Sequence, residues 1–202
     1  MLSCRYRGWR SIALDENNMD KAETLSRLEA RYDAEQDILL RANLVQALIE
    51  RFVQKAKETF GDNLVSIVLY GSVARGKYRP DSDIDLLLVF EELPPDRLER
   101  SEMVLKLGGA VEKEIPQRWQ DGQYHGFSLI AKTREEARHT RPYYFDMTEE
   151  AVLLYDKDGF FKGVLDKLRA RMKELGSRKV YLGEKWYWDL KPDIKFGEEF
   201  EI

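Results

Sequence analysis

Two apolar runs flanking a polar stretch with a glycine at its start set the pattern of this chain. Val65 to Tyr70 predicts a buried strand, which Gly71-Ser72 ends before a short segment carrying Arg75, Lys77 and Arg79. Pro80-Asp81-Ser82 predicts a second turn. Asp83-Ile84-Asp85 then opens another apolar run, Leu86 to Phe90, whose β-propensity and length again predict a strand. Strand alternation places Asp83 and Asp85 together on one side, with Ile84 and Leu86 on the other.

Helical spacing governs what lies on either side. Lys21 to Phe60 holds mostly good helix formers without Pro or Gly, and Val45, Leu48, Ile49, Phe52 and Ala56 form one apolar stripe. That length predicts a break near Asp33 to Asp37, and Gly61-Asp62-Asn63 ends the segment. Asp96 to Ile115 predicts a helix interrupted at Gly108-Gly109, with Leu98, Val104, Leu105, Leu107 and Val111 as core candidates and Pro116 as its stop. Tyr124 to Ala131 predicts a third strand, and Thr133-Arg134-Glu135-Glu136 has the pattern of a capping box. A helix over Tyr143 to Glu150 and a short strand over Ala151 to Tyr155 follow. Phe160 to Lys179 predicts the last helix, apolar along Leu165, Leu168, Met172 and Leu175, with Gly176 as a stop signal. The Trp186-Tyr187-Trp188 tail is costly to leave in water and is expected to fold back or to pack on a second subunit.

Composition narrows the class. With 202 residues, 43% hydrophobic and 11% aromatic, the chain can bury a sizeable core despite 35% charged residues. A formal net charge of -4 gives no global attraction to nucleic acid or anionic membranes. A single cysteine, Cys4, excludes an internal disulfide and fits a reducing cytoplasm. No run of apolar residues is long enough to span a membrane. His125 and His139 lack companions at zinc-ligand spacing and read as ordinary residues. The expected organisation is a flexible leader over 1–19, with Met19 as an alternative start, a main domain with an N-terminal helical segment over 20–158, and a C-terminal helix and tail over 159–202.

Two carboxylates side by side repel each other and need a shared proton, a cationic neighbour or a divalent cation. Magnesium suits Asp83 and Asp85: it takes oxygen ligands, is commonly held by one or two carboxylates, and fills its remaining positions with water and substrate phosphates. Gly71 lets the backbone approach a phosphate, and the following N–H groups and the Ser72 hydroxyl can donate to it. Phosphate and metal sites are thus expected side by side.

Strand, Gly71-Ser72, ten intervening residues, Asp83-Ile84-Asp85 and a second strand form a conjunction that resembles the nucleotidyltransferase superfamily that includes DNA polymerase beta. The Ala74-Arg75-Gly76 triplet and the segment from Pro80 to Leu86 look most like its small stand-alone members. The resemblance implies an α/β (α+β) fold with a mixed central sheet flanked by helices, followed by a C-terminal helix and aromatic tail. It further implies Mg²⁺-dependent transfer of a nucleoside monophosphate from an NTP to an acceptor, with Asp83 and Asp85 as catalytic metal ligands. Gly71, Ser72, Arg75, Lys77 and Ser82 are the expected nucleotide-binding residues.

One departure stands out. Catalytic members usually carry a third acid on the third strand, and Tyr124 to Ala131 contains none; Gly126 or Ser128 takes that place, with Glu112, Glu114 or His125 as candidate substitutes. The alternative is therefore a non-catalytic or weakly active nucleotide-binding module that works with a separately encoded small helical protein, as in antitoxin-like pairs. The chain is expected in the cytoplasm, away from membranes, with a homo-oligomer left open. The acceptor and the preferred base stay open in either reading.

Overall fold

A computed structural model describes residues 42–79, 82–114 and 126–202, and Val45–Ile202 forms one compact unit. Helix α1 runs over residues 42–60 and hands over through a 3-10 turn, Gly61–Asn63, to strand β1, Leu64–Tyr70. A short helix α2, Gly71–Ala74, and a loop lead to β2, Ile84–Phe90. Helix α3, Arg97–Glu112, is followed by β3, Phe127–Thr133, then α4, Arg134–Arg138, and α5, Pro142–Glu150. Strand β4, Val152–Asp156, leads through a 3-10 turn to α6, Phe160–Glu174, and the chain closes with β5, Arg178–Leu182, and β6, Lys185–Asp189.

The four-stranded sheet has the order β3-β2-β1-β4 and is mixed: β1 pairs antiparallel with β2 and β4, while β2 and β3 run parallel. Both faces are covered, so its central strands read as continuous apolar runs rather than alternating ones. On one face Leu69, Ile84, Leu86 and Leu88 pack with Phe52 of α1 and with Val104, Leu107 and Val111 of α3. On the other, Val65, Val68, Leu87 and Val89 pack with Ala137, Tyr144, Met147, Phe161, Leu165 and Leu168. The expected mixed sheet flanked by helices is the fold observed.

Local chemistry explains the element ends. Asp96 caps α3 by accepting from the N–H groups of Leu98 and Glu99, and Thr133 with Glu136 closes both halves of the expected capping box on α4. Asp156 accepts from the Ser66 hydroxyl at 2.6 Å and from the N–H groups of Phe161 and Lys162 at 2.9 Å, so one carboxylate ties β1 to the start of α6.

Three expectations are corrected. Helix α3 runs through Gly108-Gly109 without a break: Gly108 is buried where a Cβ would come within 3.3 Å of Leu129, so the missing side chain lets β3 lie close. Leu98 and Leu105, expected in the core, are 68% and 58% exposed because the buried face of α3 runs through Val104, Leu107 and Val111. The last helix stops at Glu174 rather than Lys179. Gly176, at φ +68°, ends it, and Arg178 to Asp189 form a separate two-stranded hairpin. The aromatic tail folds back on the domain: Trp186 and Trp188, on one face of β6, both donate through Nε1 to Asp146 Oδ1 at 2.9 Å, while Tyr187 points outward. No helix among the described residues is long and apolar enough to cross a membrane. The expected leader, the break at Asp33–Asp37 and the residues Cys4, Met19, Pro116, Tyr124 and His125 lie outside the described residues.

Candidate functional site

Strand β1 ends in extended backbone at Tyr70, and Gly71 reverses the chain at φ +74°. This position needs glycine for two reasons. The left-handed backbone is strained for other residues, and a Cβ here would overlap Asp85 Oδ2 and reach 3.0 Å from its Cγ. The Gly-Ser corner and the second aspartate of the motif are therefore in contact. The loop after α2 is held by its own backbone, with Arg75 N–H donating to Gly71 O at 3.2 Å and Lys77 N–H to Ser72 O at 3.0 Å. Ser82 is tied back to Arg79: its hydroxyl accepts from Arg79 N–H at 2.9 Å, and its own N–H donates to Arg79 O at 3.1 Å. Asp83 follows, exposed, one residue before β2 begins.

Asp85 is half-buried in β2, opposite Tyr70 of β1 and Ser128 of β3. Burial pushes its carboxyl above the usual range; a hydrogen bond from the Ser128 hydroxyl pulls it down, the charge of Asp83 pushes it up and that of Arg75 pulls it down. Ser128, foreseen as one of two residues in the third-acid position, is thus the neighbour β3 presents to Asp85. Tyr70 stacks on Tyr143 at 6.0 Å between ring centres, and burial together with Asp85 and Tyr143 holds its phenol far above the ordinary value.

Neither described acid proposed as a substitute joins this pair. Glu112 lies on α3, on the face that carries Ile84, and its Oε1 accepts from Phe127 N–H at 3.2 Å. Glu114 is held by Arg51 and Lys55, each at 2.6 Å, which depress its carboxyl to about 2. Among the described residues, no group of three or more His, Cys, Asp or Glu side chains converges on one point.

The basic loop divides. Lys77 is exposed, whereas Arg75 is half-buried and bonded through Nη1 to Glu150 Oε2 at 3.0 Å, with its guanidinium 5.3 Å from the Trp186 ring centre. Glu150 also takes Lys179 at 3.0 Å; Lys179 in turn reaches Glu149 at 3.1 Å and Asp146 at 3.4 Å. Burial works against the Lys179 charge, but hydrogen bonds to Glu150 and Glu149 outweigh it and hold the ammonium well above its usual range. Helix α5 and the terminal hairpin thus support Arg75 from behind. Nothing in the linear pattern points to Glu150 or Trp186 as its partners, because they are brought there only by the tertiary fold.

A family model described as "Nucleotidyltransferase domain" matches residues 49–140. A Methanocaldococcus jannaschii protein, provisionally described as a protein adenylyltransferase, is 26% identical over 147 residues, which is 73% of this chain and 95% of that one. A second protein of that organism with the same description is 32% identical over 60 residues, 30% of this chain and 59% of the other. Among solved structures, one from Sulfolobus solfataricus, provisionally described as a nucleotidyltransferase, covers 60% of this chain and 88% of its own at 23% identity, with a TM-score of 0.40. The matched segment spans both strands, the Gly71-Ser72 corner and the Asp83/Asp85 pair, and these findings support the nucleotidyltransferase superfamily for that part of the chain.

Proposed function

We propose that this chain transfers a nucleoside monophosphate from an NTP to a hydroxyl acceptor, and that the transfer is AMP to a protein side chain. The match to the nucleotidyltransferase family model supports the transferase reaction, and the adenylyltransferase description of the M. jannaschii relative supports the acceptor class. The observation that carries the reading is the packing of Gly71 against Asp85, with Asp83 acting on the same carboxyl.

The superfamily generally uses a divalent metal, and the donors here fit one. Asp83, Asp85 and the Ser128 hydroxyl are all hard oxygen groups, and a cation would relieve the burial and mutual repulsion that push the Asp85 carboxyl up. Bound there, Mg²⁺ would neutralise phosphate charge and orient the α-phosphate. Asp83 and Asp85 are the residues that hold it. Gly71 gives the terminal phosphates close access to backbone N–H groups, and Ser72 adds its hydroxyl. Arg75, held beside Asp85 by Glu150, and Lys77 offset charge on the departing pyrophosphate. Ser82, bonded to Arg79, holds the backbone just before Asp83. As the acceptor oxygen bonds to the α-phosphorus, the bond to pyrophosphate breaks.

A second reading rests on Ser128. Its hydroxyl is neutral where catalytic members place an acid, so the pair would bind nucleotide and turn it over slowly or not at all, serving a partner protein instead. Incubation with each α-labelled NTP and Mg²⁺, with cell extract and with the protein itself, separates the two. Label passing from ATP to protein, absent in an Asp83→Asn/Asp85→Asn variant, is the expected result. Mg²⁺-dependent binding without transfer supports the second reading. Binding identical in the variant, or none in the natural chain, overturns both.

A further inference from the structure

Strand β3 lies at the edge of the four-stranded sheet, and its two ends differ in charge. Ser128 stands beside Asp85 at one end. Lys132 lies four residues further on, on the same side of the strand and about 13 Å away at ~3.3 Å per residue. There a cleft of about 320 Å³ opens between α3, β3, α4 and the residue before α5, lined by Arg97, Arg100, Ser101, Lys132, Glu136 and Arg141 with apolar walls.

Four cations and one carboxylate meet in this cleft, and the carboxylate is already engaged. Glu136 accepts from Arg100 Nη1 at 2.7 Å through one oxygen and from Thr133 N–H at 3.0 Å through the other. Among the described residues, Arg97, Lys132 and Arg141 form no ion pair. Solubility is a weak explanation for such crowding. Solvated lysines and arginines gain by spreading apart, whereas Lys132 is half-buried in a cleft it shares with Arg97, Arg100 and Arg141, on a chain whose formal net charge is -4. Burial lowers the Lys132 ammonium from its usual range, and the charges of Arg141, Arg100 and Arg97 lower it further against the opposing pull of Glu136.

We propose that this cleft is a binding site for a phosphoryl group, with Lys132, Arg97 and Arg141 as its ligands. A phosphoryl dianion presents three oxygens to guanidinium forks and an ammonium, the donor set these residues supply, and a single carboxylate would leave part of that set unpaired. The cleft has room for the group that carries the phosphate. None of these residues belongs to the Asp83/Asp85 pair, and the site stands whether or not that pair transfers nucleotides.

The test is calorimetric titration of the full chain with inorganic pyrophosphate in EDTA at low salt. Without metal, the two aspartates repel the ligand. Saturable binding that weakens with added salt, that is unchanged in Asp83→Asn/Asp85→Asn, and that falls about tenfold or more in Lys132→Met/Arg141→Met is expected. Arg97→Gln, at an exposed position, gives a smaller loss and guards against misfolding of the double variant. No binding, or binding indifferent to all three cleft substitutions, overturns the site. Binding that strengthens in the aspartate variant and survives the cleft substitutions also overturns it, by returning the ligand to the motif. A parallel titration with a 5′-phosphorylated trinucleotide identifies the source. Tighter binding than pyrophosphate assigns the phosphate to a nucleic-acid end, and equal or weaker binding assigns it to a small molecule; either supports the site.

Discussion

Opposite charges stand at the two ends of β3, Asp85 beside it on β2 and Lys132 within it, and the same physics acts on both. At one end, burial and the charge of Asp83 push the Asp85 carboxyl up; at the other, burial and three arginines push the Lys132 ammonium down. They differ in the relief available. Asp85 has the Ser128 hydroxyl and the Arg75 guanidinium to oppose its neighbours, while the acid nearest Lys132 is bonded to Arg100. Neither crowded charge helps the chain fold. Their common lesson is that each end keeps a charge whose ionised form the fold disfavours, as expected of a group that waits for a counter-charge from outside.

Removing either charge should therefore uncouple function from stability, most visibly at the acidic end. Asp85→Asn is expected to lower label transfer by about 10³-fold or more. Because the folded carboxyl lies above its unfolded value, its ionised form costs stability as pH rises through that window, and the full cost applies above it. In EDTA the variant should melt no lower than the natural chain at pH 7, with any gain gone at pH 3; a lower melting temperature at pH 7 would break the comparison.

Gly71→Ala is expected to cost about 10²-fold in transfer, because the new Cβ drives the Asp85 carboxylate aside. Its left-handed backbone adds about 1 kcal/mol of destabilisation, so denaturant unfolding read beside activity separates displacement from misfolding. Wild-type transfer from this variant would sink the contact between corner and carboxylate.

A smaller effect is expected from Trp186→Ala or Glu150→Gln, which loosen Arg75 without touching either aspartate. The KM for NTP should rise roughly three- to tenfold with kcat held within about twofold, since a phosphate contact present before and during transfer is weakened. A change confined to kcat would contradict this role.

The smallest effect belongs to the basic end. Lys132 has its folded value below its unfolded one, so its ionised form costs stability at neutral pH and the cost vanishes as pH rises above both. Lys132→Met should raise the melting temperature by about 1–2 °C at pH 7, with the gain fading toward pH 11. Destabilisation at pH 7 would show that Lys132 packs usefully where it is.

The motif was legible because its geometry is local. A six-residue apolar run, Gly71-Ser72 and two aspartates at strand spacing define the corner and the carboxylates almost without tertiary help. The Thr133–Glu136 box was legible for the same reason. The terminal hairpin was not: Arg178 to Leu182 mixes charged and apolar residues in a way that continues a basic helix as easily as it alternates along a strand, and only pairing with Lys185 to Asp189 decides it. The support behind Arg75 was hidden for a deeper reason. Glu150 lies 75 residues away, and a charge contact of that separation leaves no periodic trace. The exposure of Leu98 and Leu105 likewise depends on how α3 is rotated against β3, which helical spacing leaves open.

The hairpin also sets an order in time. A ribosome makes Arg75 and both aspartates early, Glu150 much later, and Trp186 near the end of the sequence. A nascent chain that has reached only β4 already contains every residue of the motif, yet lacks the indole that covers Arg75 and the Lys179 that shares Glu150 with it. Completion of the loop after α2 thus waits on β6, made well after the motif, and a chain truncated after α6 would carry the signature of the site without the support behind Arg75.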